Sequence, residues 1–274
     1  MTEIKDTRAR AGIHRLWDEL PSFGAYRSMD ALLFCMNTLA ELIRAQHAYW
    51  IGTLRLPELA APELAPKDPL DGWRVRAFHF GEPPRGHEAI SRQHLRGMDG
   101  GEIDASIIAN LSGAGTYRVN VLSDMMPPNW FKSKFFQRFY ASMGCRDAIF
   151  VMTPVSGGIE SWLAFERFGD QTVPFGETER ALLAHAMRPL KWFHRQLVLH
   201  YGVALADQHM TAAEQRVLAE LLTAKTEQQI AEKLSLSPTT VHSYCTRLYR
   251  KFGVHSRPGL TALWLGRVRE IDDT

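Results

Sequence analysis

Apolar and polar positions change their period along the chain, and each change marks a different element. Residues 7–20 and 28–46 have helical spacing; in the second, Leu32, Leu33, Met36, Leu39, Ala40 and Ile43 share one face. The run 48–56 then reads as a strand, and the prolines at 57, 62, 66 and 69 exclude regular structure up to Trp73. Trp73 to Phe80 alternates as a strand should, with a helix expected at about 83–97, another at 104–112 and a strand at 117–122. Residues 129–143 are aromatic on one side and basic on the other, which predicts a single helix lying on a sheet. Strands 147–155 and 159–168 flank Ser156, Gly157 and Gly158, the turn of an antiparallel hairpin. A long helix over 177–201 carries Leu182, Leu183, Ala186, Leu190, Phe193 and Leu197 as its stripe. Pro189 falls inside it and costs about 3 kcal/mol there, so a kink or break is expected. This order of elements predicts an α+β fold with one antiparallel sheet and helices on its face or faces.

Beyond residue 209 the pattern is helical throughout. Thr226 and Gln229 form a capping box ahead of Ile230, Ala231 and Leu234, and only Ser235 and Leu236 separate that helix from the next. The next opens with Ser237 as cap and Pro238 at the first helical position, and stops at Gly253. Val241, Cys245, Leu248, Tyr249 and Phe252 fall on its buried face, leaving His242, Ser243, Thr246, Arg247, Arg250 and Lys251 outward. So short a joint forces the two helices to cross steeply, and small Ala231 permits the close approach of a helix-turn-helix. From Lys233 to Arg269 there is no Asp or Glu, while Lys233, Arg247, Arg250, Lys251, Arg257, Arg267 and Arg269 are basic. That is a surface suited to phosphate.

Composition adds bounds. A chain of 274 residues with 45% hydrophobic content suffices for two cores, and the net charge of +2 conceals the basic concentration at one end. Cys35, Cys145 and Cys245 are odd in number and far apart, so neither a disulfide framework nor a zinc site is indicated. The charged start and the lack of an apolar run near the roughly 18 residues of a membrane span predict a cytoplasmic protein with no membrane partner. His79, His87 and His94 lack the spacing of a metal pair on one helix face, and no catalytic serine elbow, phosphate-binding glycine loop or phosphoacceptor pattern is present. No enzyme activity, metal or cofactor is expected.

Four ordered blocks carry a family resemblance: the Thr-x-x-Glu start at Thr211 and Glu214, the Ile-Ala-x-x-Leu of residues 230–234, the Ser-x-x-Thr-Val of 237–241 and the Gly-Val-x-Ser-Arg of 253–257. They resemble the four-helix DNA-binding domain of the LuxR/NarL bacterial transcription regulators. Met210 stands where Leu is usual, and His242 and Thr246 where Lys is frequent. The resemblance implies that His242, Ser243 and Thr246 reach base edges. Thr239, Thr240, Arg247, Arg250 and Lys251 are the expected phosphate contacts. It further implies an all-α domain over 210–274 that pairs as a homodimer through Leu260, Leu263, Trp264 and Val268 on a two-fold, pseudo-palindromic site in double-stranded DNA, with RNA polymerase as a further partner. Residues 1–201 are similar to the GAF/PAS-like sensory domains that precede such domains, and 202–209 would be the linker. Tyr49, Trp50, Trp73, Phe78, Tyr117 and Trp130 are candidates to line a pocket for a small-molecule effector. The alternative is an N-terminal domain that serves only dimerisation or docking of a protein partner.

Overall fold

The computed structural model describes residues 6–60, 68–81, 89, 93, 103–169, 173–203 and 210–265. The polypeptide first lays down α1 (Thr7–Glu19) and α2 (Ser28–Ile43), then β1 (His47–Arg55) and β2 (Trp73–Phe80). Asp6 caps α1 by accepting the N–H groups of Arg8 and Ala9, and α2 ends with Arg44 in the left-handed region. After α3 (Ala105–Leu111), β3 (Arg118–Val121), α4 (Leu122–Met125) and α5 (Lys134–Phe139) come the two longest strands, β4 (Cys145–Ser156) and β5 (Ile159–Phe168). The helix expected at 83–97 lies outside the described residues except for Ala89 and Gln93, which are helical.

The five strands form one antiparallel sheet in the order β2-β1-β5-β4-β3. Central β5 is buried on both faces, and its alternate residues serve two cores. Leu163 and Phe165 join Trp50, Leu54, Ile149 and Val151 beneath α1, α2 and the helices α6 (Glu177–Met187) and α7 (Lys191–His200). Trp162 and Ala164 join Ile51, Val75, Phe150 and Met152 on the other face, under an aromatic layer of Trp130, Phe136, Phe139 and Tyr140.

Two expected helices are divided. Residues 129–143 form a 3-10 turn at Trp130–Lys132, α5, and a second 3-10 turn at Ala141–Met143, because the Ser133 side chain accepts the Phe136 N–H and restarts the helix. Residues 177–201 break at Arg188 to Leu190, where Pro189 cannot supply an N–H, giving α6 and α7. The break lets α7 turn back onto the sheet. There His194, fully buried, joins Ser161 Oγ (2.8 Å, Nδ1) and Thr153 Oγ1 (3.2 Å, Nε2), while Trp50 Nε1 donates to the same Ser161 (2.7 Å). Gly52 lies where α7 ends: a Cβ there would stand 2.4 Å from Val203 Cγ2.

Residues 210–265 supply a third, all-helical core from α8 (Ala212–Leu221), α9 (Glu227–Leu234), α10 (Pro238–Lys251) and α11 (Arg257–Trp264). Leu199 of α7 is part of this core and Ala25 packs against it. Arg195 reaches the Leu263 carbonyl at 3.5 Å.

Candidate nucleic-acid interface

The site is built on the joint between α9 and α10. Thr226 and Gln229 complete a reciprocal capping box at the start of α9, and Ser235 ends the helix in the left-handed conformation at φ 55°. Ser237 Oγ accepts the Thr240 N–H at 3.0 Å, and Pro238 occupies the first turn of α10, where its missing N–H costs nothing. Ile230 and Ala231 of α9 pack with Val241, Cys245 and Leu248 of α10, all buried. Gly253, at φ 62°, closes the helix. Burying that stripe points the opposite side of α10 at solvent.

On that side His242, Ser243 and Thr246 are exposed, as are Thr239, Arg247 and Arg250. The structure therefore brings the three expected base readers onto one outward face. Each is held: Ser243 Oγ donates to the Thr239 carbonyl (3.0 Å), Thr246 Oγ1 to the His242 carbonyl (3.1 Å), and His242 Nδ1 lies 3.1 Å from Glu227 Oε2. With their protons turned into the helix, the two hydroxyls present oxygen lone pairs outward, and Thr246 adds a methyl. Thr240 is half-buried beside the cap, its Oγ1 2.7 Å from Ser237 Oγ.

The basic residues divide by role. Arg247 lies over the Tyr244 ring at 4.5 Å and Arg250 stands exposed, both on the outward side of α10. Lys251 does not share their position. Its side chain is 11% exposed and its Nζ meets Glu214 Oε2 at 2.8 Å, while the same carboxylate accepts the Thr211 N–H at 2.8 Å. Burial pushes the Glu214 carboxyl up, but Lys251 and Thr211 outweigh it and hold it below its ordinary range. Lys233 is likewise paired, with Glu220, which also holds Lys225. Arg257 donates to the carbonyls of Leu221, Thr223 and Lys225, tying α11 to the α8–α9 turn. Much of the acid-free stretch is thus spent on the fold, and Glu214 and Glu227, absent from the expected site, organise its edges. The Thr-x-x-Glu box marked Glu214 as a cap; its ion pair, formed across 37 residues, has no local signature.

The expected dimerisation residues Leu260, Leu263 and Trp264 are buried in the core of their own chain, with Trp264 edge-on to Phe252 at 5.3 Å. Val268 lies outside the described residues. Leu265, which caps the end of this helix, is 64% exposed.

The six pocket candidates fall on both sides of the sheet. Tyr49, Phe78 and Trp130 belong to the aromatic face, and Trp73 lines a cleft there with Thr53, Leu70, Arg74, Val75, Ile107, Leu111 and Trp162. Its volume of about 20 Å³ is water-sized. Trp50 and Tyr117 lie under the helices of the opposite face, Trp50 on Ser161 and Tyr117 with its hydroxyl on the Ala184 carbonyl (3.0 Å). Strand alternation places them there, away from the other four. Polar groups missed from the sequence line the aromatic face: Trp130 Nε1 donates to Asp104 (3.0 Å), Asn120 to Asn110 (3.2 Å), and buried Glu160 joins Arg118 (2.7 Å), Trp162 Nε1 (2.9 Å) and the Gly115 N–H (2.7 Å).

Among the described residues, no helix is long and apolar enough to cross a membrane, and the three cysteines are free and buried. Similar solved structures include SdiA in complex with octanoyl-rac-glycerol (14% identity, 97% of each chain covered, TM-score 0.43). Escherichia coli SdiA matches at 14% identity over 94% of this chain and 98% of that one, with a TM-score of 0.44. The VqsR LBD domain from Pseudomonas aeruginosa matches at 12% identity over 70% of this chain and 98% of its own, with a TM-score of 0.43. No curated protein sequence matches the chain. Residues 208–264 match the family described as bacterial regulatory proteins, luxR family, and so form a LuxR-type helix-turn-helix DNA-binding domain.

Proposed function

We propose that this chain regulates transcription by binding double-stranded DNA through α10, under the control of a small molecule held by a GAF-like sensor over residues 1–201, with 202–209 as linker and 210–274 as the DNA-binding unit. The observation that carries the DNA reading is the outward face of α10, where His242, Ser243 and Thr246 lie together and Arg247 and Arg250 flank them. Such a face puts hydrogen-bonding groups at base edges and cations at phosphates. The hydroxyl oxygens of Ser243 and Thr246 suit the exocyclic amines of adenine and cytosine, and the Thr246 methyl suits thymine. No arginine stands among the three, so direct readout is modest and phosphate contacts supply much of the affinity. Homodimerisation on a pseudo-palindromic site and contact with RNA polymerase belong to the same reading.

Signal control is supported by the two-sided sheet. One face is filled by four helices, whereas the other combines aromatic rings with inward polar groups, the mixture from which small-molecule sites are made. Selection of duplexes from a random library by the full chain, with and without small molecules extracted from the expressing cells, tests both parts. Thr246→Ala should retain binding while relaxing sequence preference. Equal loss on selected and random duplexes would remove Thr246 from base reading, and no enrichment of any sequence under either condition would refute the DNA reading.

A further inference from the structure

The aromatic face of the sheet contains a polar pair that neither the fold nor the DNA site uses. His47 opens β1 and is the register partner of Glu166 on β5, and both project to the side of Tyr49 and Trp162. His47 Nδ1 lies 2.7 Å from Glu166 Oε2, with the two side chains 2% and 5% exposed. The other ring nitrogen, Nε2, is buried and has no hydrogen-bond partner among the described residues. Around the imidazole stand Tyr49, Phe80 and Phe168, at ring separations of 5.9, 6.2 and 6.2 Å.

An ionised carboxylate only accepts hydrogen bonds, so the proton of the neutral ring is drawn to Nδ1 and Nε2 is left as a bare lone pair. Buried polar groups in folded proteins are almost always satisfied, so an orphan of this kind calls for an explanation, and an incoming hydrogen-bond donor is one. The pairing with Glu166 supplies what a recognition group needs: one tautomer, one orientation and a raised acceptor strength.

We propose that His47, oriented by Glu166, is the polar anchor of a binding site for a compact, mostly apolar molecule that carries one hydrogen-bond donor, a phenol-type hydroxyl or an N–H. The inference rests on reading residues 1–201 as a small-molecule sensor and names the chemistry that sensor selects. The rings of Tyr49, Phe80 and Phe168 supply the apolar walls and Nε2 the single directional contact. A ligand lacking a donor would leave that contact unmade.

Phenol and toluene test this on the full chain, because they share a shape and differ in the donor. Toluene is the more apolar of the two and would bind better to a box without an acceptor. Calorimetric titration should give phenol an affinity about tenfold or more above toluene, and His47→Phe, which keeps a ring and removes the acceptor, should abolish that advantage. Nitrogen-15 spectra of the histidine-labelled unsubstituted chain give a second reading should the variant fail to fold. His47 Nε2 should show the signature of a bare lone pair, then shift toward a hydrogen-bonded value with phenol and not with toluene. Equal or tighter binding of toluene, binding of neither probe, retention of the phenol advantage in His47→Phe, a protonated Nε2 without probe, or an Nε2 unmoved at saturating phenol would each overturn the proposal. A co-purified small molecule or sequence-selective DNA binding in the same preparation would leave the regulator reading standing and confine the failure to His47.

Discussion

Lys251 and Arg250 are adjacent in sequence, both basic and both at the end of the recognition helix, yet the structure assigns them opposite consequences. Arg250 is exposed. Lys251 is largely buried and paired at 2.8 Å with Glu214, itself 4% exposed. Lys251→Met keeps the apolar stem and removes the charge, which strands a buried carboxylate. Breaking such a pair costs roughly 3–5 kcal/mol, and the N–H of Thr211, still bonded to Glu214, argues for the lower end, about 3 kcal/mol. For a helical domain of this size that corresponds to a fall of about 10 °C or more in its melting transition. Arg250→Ala removes no buried partner and should change stability by less than about 0.5 kcal/mol.

The DNA readout runs the other way. Each phosphate contact contributes about 0.9 to the slope of log affinity against log salt. Arg250→Ala should lower that slope by about one unit, so its binding deficit should narrow about 3.5-fold between 50 and 200 mM salt. Lys251→Met should leave the slope of the folded fraction unchanged. The assays are thermal unfolding of the full chain and binding to a labelled duplex across a salt series below the variant's melting temperature. A Lys251→Met protein that melts like the parent and loses a unit of salt slope would refute the structural assignment and restore Lys251 to the phosphate contacts.

Two further outcomes concern the sheet and the helices packed on it. Burial holds the His194 ring down to about 3, and burial with nearby His79 holds His200 down to about 4, both below their unfolded value of 6.5. Their neutral forms therefore stabilise the fold fully above pH 6.5, and that contribution is lost as pH falls, by about 1.4 kcal/mol per pH unit for each ring until the folded pKa is reached; urea titrations between pH 7 and 4 should show a shallower decline for His194→Gln, and parallel declines would contradict the assignment. Glu160→Gln should destabilise by roughly 3–5 kcal/mol, because it leaves the Arg118 guanidinium without its anion where the side chain is only 10% exposed; a change below about 1 kcal/mol in urea unfolding would show that the pair is solvated.

The helix-turn-helix was legible because its signals are local. Capping boxes, a proline at the first helical position, a glycine stop and an apolar stripe all lie within a few residues of what they specify, and Thr226, Ser237, Pro238 and Gly253 sit in the structure as those rules require. The hairpin strands were legible for the same reason, as two largely apolar runs on either side of a Gly-Gly turn. The helix expected over 129–143 failed because dense aromatics imitate a helical stripe. Only the geometry of Ser133 and the left-handed Gly144 shows that the chain restarts and stops within it. Tyr49 and Trp50 were grouped as candidates for one pocket, yet adjacent positions of a strand face opposite sides, and which side meets the four-helix layer depends on α7 reaching the sheet from about 140 residues away. Sequence separation likewise hides Glu166 from His47, 119 residues away, and Glu214 from Lys251, 37 residues away.

What joins the two halves is α7. At its middle, His194 is locked to the two central strands through Ser161 and Thr153, and Trp50 completes that network. Five residues on, about 7.5 Å along the axis, Leu199 is buried in the core of the DNA-binding helices, and between them Arg195 meets the last turn of α11. One short helix is therefore seated in both cores, and its own backbone hydrogen bonds resist bending between them. Pro189 makes this possible: an unbroken helix from 177 to 201 would carry residues 191–200 along the axis of α6 instead of folding them back over β4 and β5. A displacement of the central strands thus has a rigid path into the C-terminal helical core, where α7 meets α8 and α11. That path begins at Ser161, whose neighbour Trp162 faces the aromatic side of the sheet, so the two faces of β5 place the aromatic layer and the His194 network one residue apart.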